Sequence, residues 1–284
     1  MSPTTIPGNL LLKNGMVITG SQKNKGLLDE FTGAAAAYSL RDLTFLRGNP
    51  VIRVRRSSDN TESDFTATEV SDGTLATWVG AGNNGFVRTW YDQSGNNLHA
   101  QQTTQVAQPK LVDSVAGLTL QNTKPAIQFD GTSYYLSFTP YTTSVYSNIA
   151  VIAKSATGNT FVTIGTETGS GQSIGAWSDG ALYENNGISF VSVPYSNNTS
   201  QNLLTVIKNG NTLANFSGWQ NGSNLGSYTG VPFTNITYKT IGARLSAGLF
   251  ASGTMQEILL YSSDQTTNRT GIEANINAHY SIYP

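Results

Sequence analysis

Cysteine is absent from the 284-residue chain, which removes disulfides, thiol nucleophiles and thiolate zinc sites together. Histidine is scarce: His99 and His279 are the only imidazoles, and their spacing suggests no metal site. Charged residues make up 12%, against the roughly 25% of ordinary soluble domains. A net charge of −1 offers no cluster of Lys and Arg to neutralise phosphates, so nucleic acid is not an expected partner. Met1–Gly20 lacks a basic start, and Lys13, Asn14 and Gly15 interrupt its apolar stretch. Neither a signal peptide nor a membrane span is expected there, and synthesis and folding in a cytoplasm are expected.

What is present is 38% hydrophobic residues, 29 Gly and 13 Tyr, with polarity carried by Asn, Gln, Ser and Thr. Such a balance suits β-strands joined by tight turns. Asn9–Leu12 and Met16–Thr19 flank Asn14–Gly15, a pair that readily supplies the positive φ angles of a two-residue hairpin turn. The polar segment Gly20–Gly26 reads as a linker, so residues 1–25 form an arm and 26–284 the main domain. Gly33–Ser39 is Ala-rich and reads as a short helix or a buried strand. Pro50–Arg56 alternates as a strand whose arginines pair with Asp59, Glu62 or Asp64 across a turn; the sharper alternative is an anion or sugar-acid site. Further strands are expected at Phe86–Tyr91, Ala126–Phe129, Tyr134–Phe138, Ile149–Lys154 and Thr160–Gly165. They continue at Gln172–Trp177, Ile188–Val193, Leu203–Lys208, Thr212–Phe216, Tyr238–Gly242 and Gly253–Tyr261. Ile272, Ile276 and Tyr280 recur at helical spacing within Thr267–Ser281, giving one amphipathic helix at the chain end. The expected class is all-β, a sandwich with an N-terminal hairpin arm and a C-terminal helix.

The run Thr89–Trp90–Tyr91–Asp92–Gln93–Ser94–Gly95–Asn96–Asn97–Leu98–His99 resembles a motif of α-L-arabinofuranosidase B catalytic domains. That resemblance implies a concanavalin A-like (lectin/glucanase, LamG-like) jelly roll. Together with Ala34–Leu40, Ile52–Phe65, Lys124–Tyr135 and Met255–Tyr280, it is also similar to lectin-type modules of bacteriophage virion proteins. The virion resemblance implies a non-enzymatic tail or head appendage that binds a host cell-surface glycan. It also implies attachment to other virion proteins through the arm, homo-oligomerisation, and location on a virion. No cofactor is implied, with a loop-bound calcium left open.

The arabinofuranosidase resemblance implies a different activity. A retaining glycosidase needs two carboxyl groups about 5–5.5 Å apart. The nucleophile's context is most like Trp177–Ser178–Asp179–Gly180–Ala181–Leu182–Tyr183, with Asp179 where that family has Glu. The acid/base context resembles Ile241–Gly242–Ala243–Arg244, where Arg244 is no proton donor, and the family's paired cysteines are missing. For a hydrolase the candidates are therefore Asp179 and Glu184, with Glu257 third. Two further readings remain: a decoration protein with no ligand, and a sugar cleft lined by Tyr91, Asp92, Gln93, Asn96, Trp177, Asp179, Tyr183 and Trp219, where aromatic faces stack and polar groups bind hydroxyls. The bland alternative for Tyr91–Asn96 is a tight loop closed by side-chain-to-backbone hydrogen bonds.

Overall fold

The computed structural model describes residues 9–11, 17–19, 25–45, 48–166, 173–185, 190–210, 213–232, 235–245 and 248–284. Asn9–Leu11 and Val17–Thr19 pair antiparallel with Leu10 opposite Ile18. They form a two-stranded ribbon as the hairpin signal predicts, although its Asn14–Gly15 turn lies outside the described residues.

The main body is an all-β jelly-roll sandwich. One run of antiparallel pairings joins Ala34–Ser39, Ser252–Tyr261, Tyr146–Lys154, Asn202–Asn209, Leu213–Gln220 and Ser223–Pro232. A second run passes from Glu62–Thr66 through Pro50–Arg56, Gly85–Trp90, Ala100–Gln101, Leu136–Thr143 and Ile236–Ile241. It continues through Phe161–Gly165, Ser173–Ala176, Ala181–Asn185 and Phe190–Pro194. Ile127–Asp130 bridges the two runs, pairing with Ser252–Tyr261 on one side and Lys110–Asp113 on the other. Between them lies the larger core, which includes Tyr38, Trp90, Phe129, Phe161, Ile241 and Ile258.

The strand Tyr146–Lys154 is buried at every position, because it is covered on both faces. Its inner face meets the core, and Ile149 and Val151 on its outer face pack under the C-terminal helix Arg269–Tyr280. Ile272, Ile276 and Tyr280 supply that cover at the spacing read from the sequence. Ala34–Ser39 resolves as a strand, not a helix. A bulge opposite Leu260 and Tyr261 turns Ala34 and Ala37 towards the helix while Ala36 and Tyr38 face the core. Small side chains fit because both faces are crowded. Gly253 sits at φ +144° where this sheet turns to Ile127–Asp130, and a Cβ there would lie 2.0 Å from the Ala153 carbonyl oxygen.

Elements that lack an expectation from the pattern include the strands Lys110–Asp113, Ala181–Asn185 and Ser223–Pro232 and the short helices Leu27–Glu30, Ala67–Ser71 and Thr74–Val79. The arginine strand pairs as anticipated at two positions, Arg53 with Asp64 and Arg56 with Asp59. Arg55 instead donates to Gln108 and Asn60, and Glu62 turns to Arg88.

Candidate functional site

The Tyr91–His99 loop is held inward. Asp92 is buried, and its carboxylate accepts from the Ala37 and Ser94 amides on one oxygen, and from the Ser94 hydroxyl and Leu98 amide on the other. The Gln93 side chain bonds the backbone of Ser39, Arg41 and Leu43, and Asn96 donates to the carbonyls of Ala34 and Ala35. Tyr91 donates to Asp64 at 2.7 Å, and burial first, then that carboxylate, raises its phenol to about 12. His99 accepts from the Asp92 amide through Nδ1. This loop pins the first strand of the domain, which leaves its polar side chains engaged with protein groups.

Trp177, Asp179 and Tyr183 do come together. The strand Ser173–Ala176 returns as Ala181–Asn185 through a tight turn with Gly180 at φ +81°. That turn exposes Asp179, whose carboxylate accepts from the Ala181 amide and, at 2.8 Å, from the Tyr183 hydroxyl. The Tyr183 ring meets Trp177 edge-on, with centroids 5.4 Å apart. Behind the turn, Lys154 Nζ donates to the Trp177 and Thr157 carbonyls, the Tyr195 hydroxyl and Asn197 Oδ1. Burial lowers this ammonium to about 8, with Asp179 pulling in the opposite direction. Lys154, Tyr195 and Asn197 were missing from the sequence reading. Their signal was a lysine ending an otherwise apolar strand, where a charge requires partners.

Glu184 points the other way. Successive side chains of a strand alternate faces, so with Tyr183 outward beside Asp179, Glu184 projects into the sandwich. There it meets Lys208 at 2.8 Å with neither side chain exposed, and accepts from the Tyr146 hydroxyl at 2.7 Å. Tyr146 and Lys208 face each other across neighbouring strands of the opposite sheet. Asp179 on the exposed turn and Glu184 on the inner face of the strand that follows are therefore separated, and the structure does not assemble them as a carboxylate pair.

Glu257 is buried in a bidentate bridge with Arg41 and accepts from Ser39 and Tyr280. Trp219 is buried, with the Arg269 guanidinium 4.6 Å from its ring centre. Arg244 is half-buried next to Ala243. Among the described residues no group of three or more His, Asp or Glu side chains is arranged to hold a metal ion, and no helix is long and apolar enough to cross a membrane.

No protein-family model matches the chain, and no curated protein matches it. Solved structures do. A GH54 α-L-arabinofuranosidase soaked with a cyclic sulfate inhibitor superposes with a TM-score of 0.66 at 16% identity. A Glu-to-Gln variant of GH54 arabinofuranosidase soaked with 4-nitrophenyl α-L-arabinofuranoside gives 0.69 at 17%. An arabinofuranosidase complexed with arabinofuranosyl-α-1,2-xylobiose gives 0.65 at 18%. Each match covers 89% of this chain and 65% of the other. The expectation of a non-enzyme is corrected by this comparison, since the chains that share the sandwich over 89% of this sequence are glycoside hydrolases. At such identities the likeness establishes the fold, a β-sandwich of the arabinofuranosidase kind.

Proposed function

We propose that this is a glycoside-directed protein that engages a glycan at the exposed turn carrying Trp177, Asp179 and Tyr183. The observation that carries the reading is a solvent-facing carboxylate bonded by the Tyr183 hydroxyl, whose ring in turn meets Trp177. Aromatic faces stack on the apolar face of a sugar ring, and an ionised carboxylate accepts from its hydroxyls. Titration of arabinan- and arabinoxylan-derived oligosaccharides and a panel of bacterial surface glycans is expected to show binding that weakens at least about tenfold, or 1.4 kcal/mol, in Trp177→Ala and Asp179→Asn. Binding unchanged in both folded variants, or no binding to any glycan, would overturn it.

A second reading, cleavage of the bound glycoside, is favoured by the arabinofuranosidase fold over nearly the whole chain. Asp179 is then one of the two carboxyl groups such chemistry needs, and its partner is not Glu184, which Lys208 and Tyr146 hold in the interior. The test is 4-nitrophenol release from 4-nitrophenyl α-L-arabinofuranoside, expected from the wild type and lost in Asp179→Asn; no release from the wild type sinks this reading while leaving the first intact. We place the activity on a bacteriophage particle, as a homo-oligomeric appendage joined by the N-terminal arm. That setting rests on the virion-module resemblance, and mass spectrometry of purified virions checks it.

A further inference from the structure

We propose a second ligand site, independent of the Trp177 turn: a pocket that takes a small hydroxylated carboxylate of the uronic-acid type. A cavity of about 400 Å³ opens where the helix Arg269–Tyr280, the short helix Ala67–Ser71 and the Lys124–Pro125 strand meet the segment after Ala34–Ser39. Its volume is in the range that holds small ligands. Lys25, Arg41 and Lys124 supply positive charge to its wall, and Asp42 is the acidic residue on that wall. The Arg41 guanidinium is fixed from behind by Glu257 and by Asn275 Oδ1 at 3.0 Å. That bridge makes it a rigid part of the wall and offsets one of the three cations. Lys124 has no acidic partner among the described residues.

His279 reports the character of the site. Its imidazole lines the cavity and has no hydrogen-bond partner among the described residues, its ring contact being with Tyr280. The charged groups acting on it are Arg41, Lys124 and Glu257, and burial together with the two cations lowers it to about 4. A neutral imidazole beside an uncompensated ammonium offers a donor or acceptor next to a cation. Thr68, Ser71 and Asn275 add hydroxyl and amide groups on the facing walls. A carboxylate at Lys124 with sugar hydroxyls reaching His279 and the hydroxyl wall satisfies both kinds of group.

The experiment is imidazole ¹H–¹⁵N NMR on the full chain, which holds two histidines, titrated with glucuronate, galacturonate, glucose and acetate. The expected result is a saturable shift of His279 but not His99 with a uronate. The titration point of His279 should also rise, because a nearby anion favours the imidazolium. Glucose and acetate should each act at least about tenfold more weakly, and Lys124→Gln should remove the uronate response while leaving the His99 signals unchanged. No His279 response to either uronate, an equal response to acetate, or a full response in Lys124→Gln would each overturn the proposal. Thr68→Val, on an exposed helical position, gives a second variant; it should weaken uronate binding without altering the response to acetate, and an unaltered uronate affinity would count against the sugar-acid assignment.

Discussion

Glu184 and Lys208 bridge the two sheets of the sandwich at 2.8 Å, with no part of either side chain reaching solvent. Breaking such a pair strands a charge in the interior, which costs about 3–5 kcal/mol, whereas replacing both partners by apolar groups is often neutral. Glu184→Leu and Lys208→Met are each expected to destabilise by about that amount, and the double variant carrying both substitutions to recover most of it. Urea unfolding of the full cycle measures this; additive losses would show that the two side chains do not act as a unit.

Asp92, buried beneath a loop whose tip is exposed, satisfies three backbone amides. Unpaired buried donors cost roughly 1–3 kcal/mol each, so Asp92→Ala should lower the melting temperature while glycan affinity at the Trp177 turn holds. Selective loss of affinity at unchanged stability would return Tyr91–Asn96 to the binding surface.

Gly253 adopts φ +144°, and a methyl group there would press on the Ala153 carbonyl. Gly253→Ala combines backbone strain of roughly 1–3 kcal/mol with that overlap. We expect poor soluble yield, or a midpoint shift larger than for Gly95→Ala, whose φ is also positive but whose surroundings are open. Chemical denaturation of the two side by side decides it.

His279 gives a pH signature. Its folded pKa is lowered to about 4 from 6.5, so between those values the unfolded chain binds the proton and the folded chain does not. Stability therefore falls as pH drops from 6.5 towards 4. Carboxylates titrate in the same range, so the readout is the difference in melting temperature between wild type and His279→Gln. That difference should change in the variant's favour as the pH falls through this window, and a pH-independent difference would contradict it.

Much of the sandwich was legible. Alternation in Pro50–Arg56 and the helical spacing of Ile272, Ile276 and Tyr280 each encode local geometry that burial then uses, and the hairpin signal agrees with the pairing of Asn9–Leu11 with Val17–Thr19. Ser223–Pro232 was obscured because its Gly- and Ser-rich sequence carries no apolar alternation; it is a strand through its pairing with Leu213–Gln220. The helices Ala67–Ser71 and Thr74–Val79 are too short for periodicity to register, although Thr66 and Glu69 form a capping box at the first. At the site, Trp177, Asp179 and Tyr183 were recoverable because a turn brings near neighbours together. Glu184 was placed with them because sequence proximity hides which face of a strand a residue occupies. The Arg41–Glu257 bridge lay beyond local reading, since its partners belong to opposite ends of the chain.

The strand Ser252–Tyr261 completes a sheet that begins with Ala34–Ser39, and the helix Arg269–Tyr280 covers that sheet's outer face. Leu27 and Leu28 are buried in one cluster with Ile272 and Ile276, which lie far along the chain. The outer core thus cannot close before Ile272 and Ile276 have been made, and Ala34–Ser39 lacks its strand neighbour until Ser252–Tyr261 has emerged. Ala34–Ser39 must wait unpaired for a strand far along the chain, so chain termination before Ser252 should yield material that the cell clears or that aggregates.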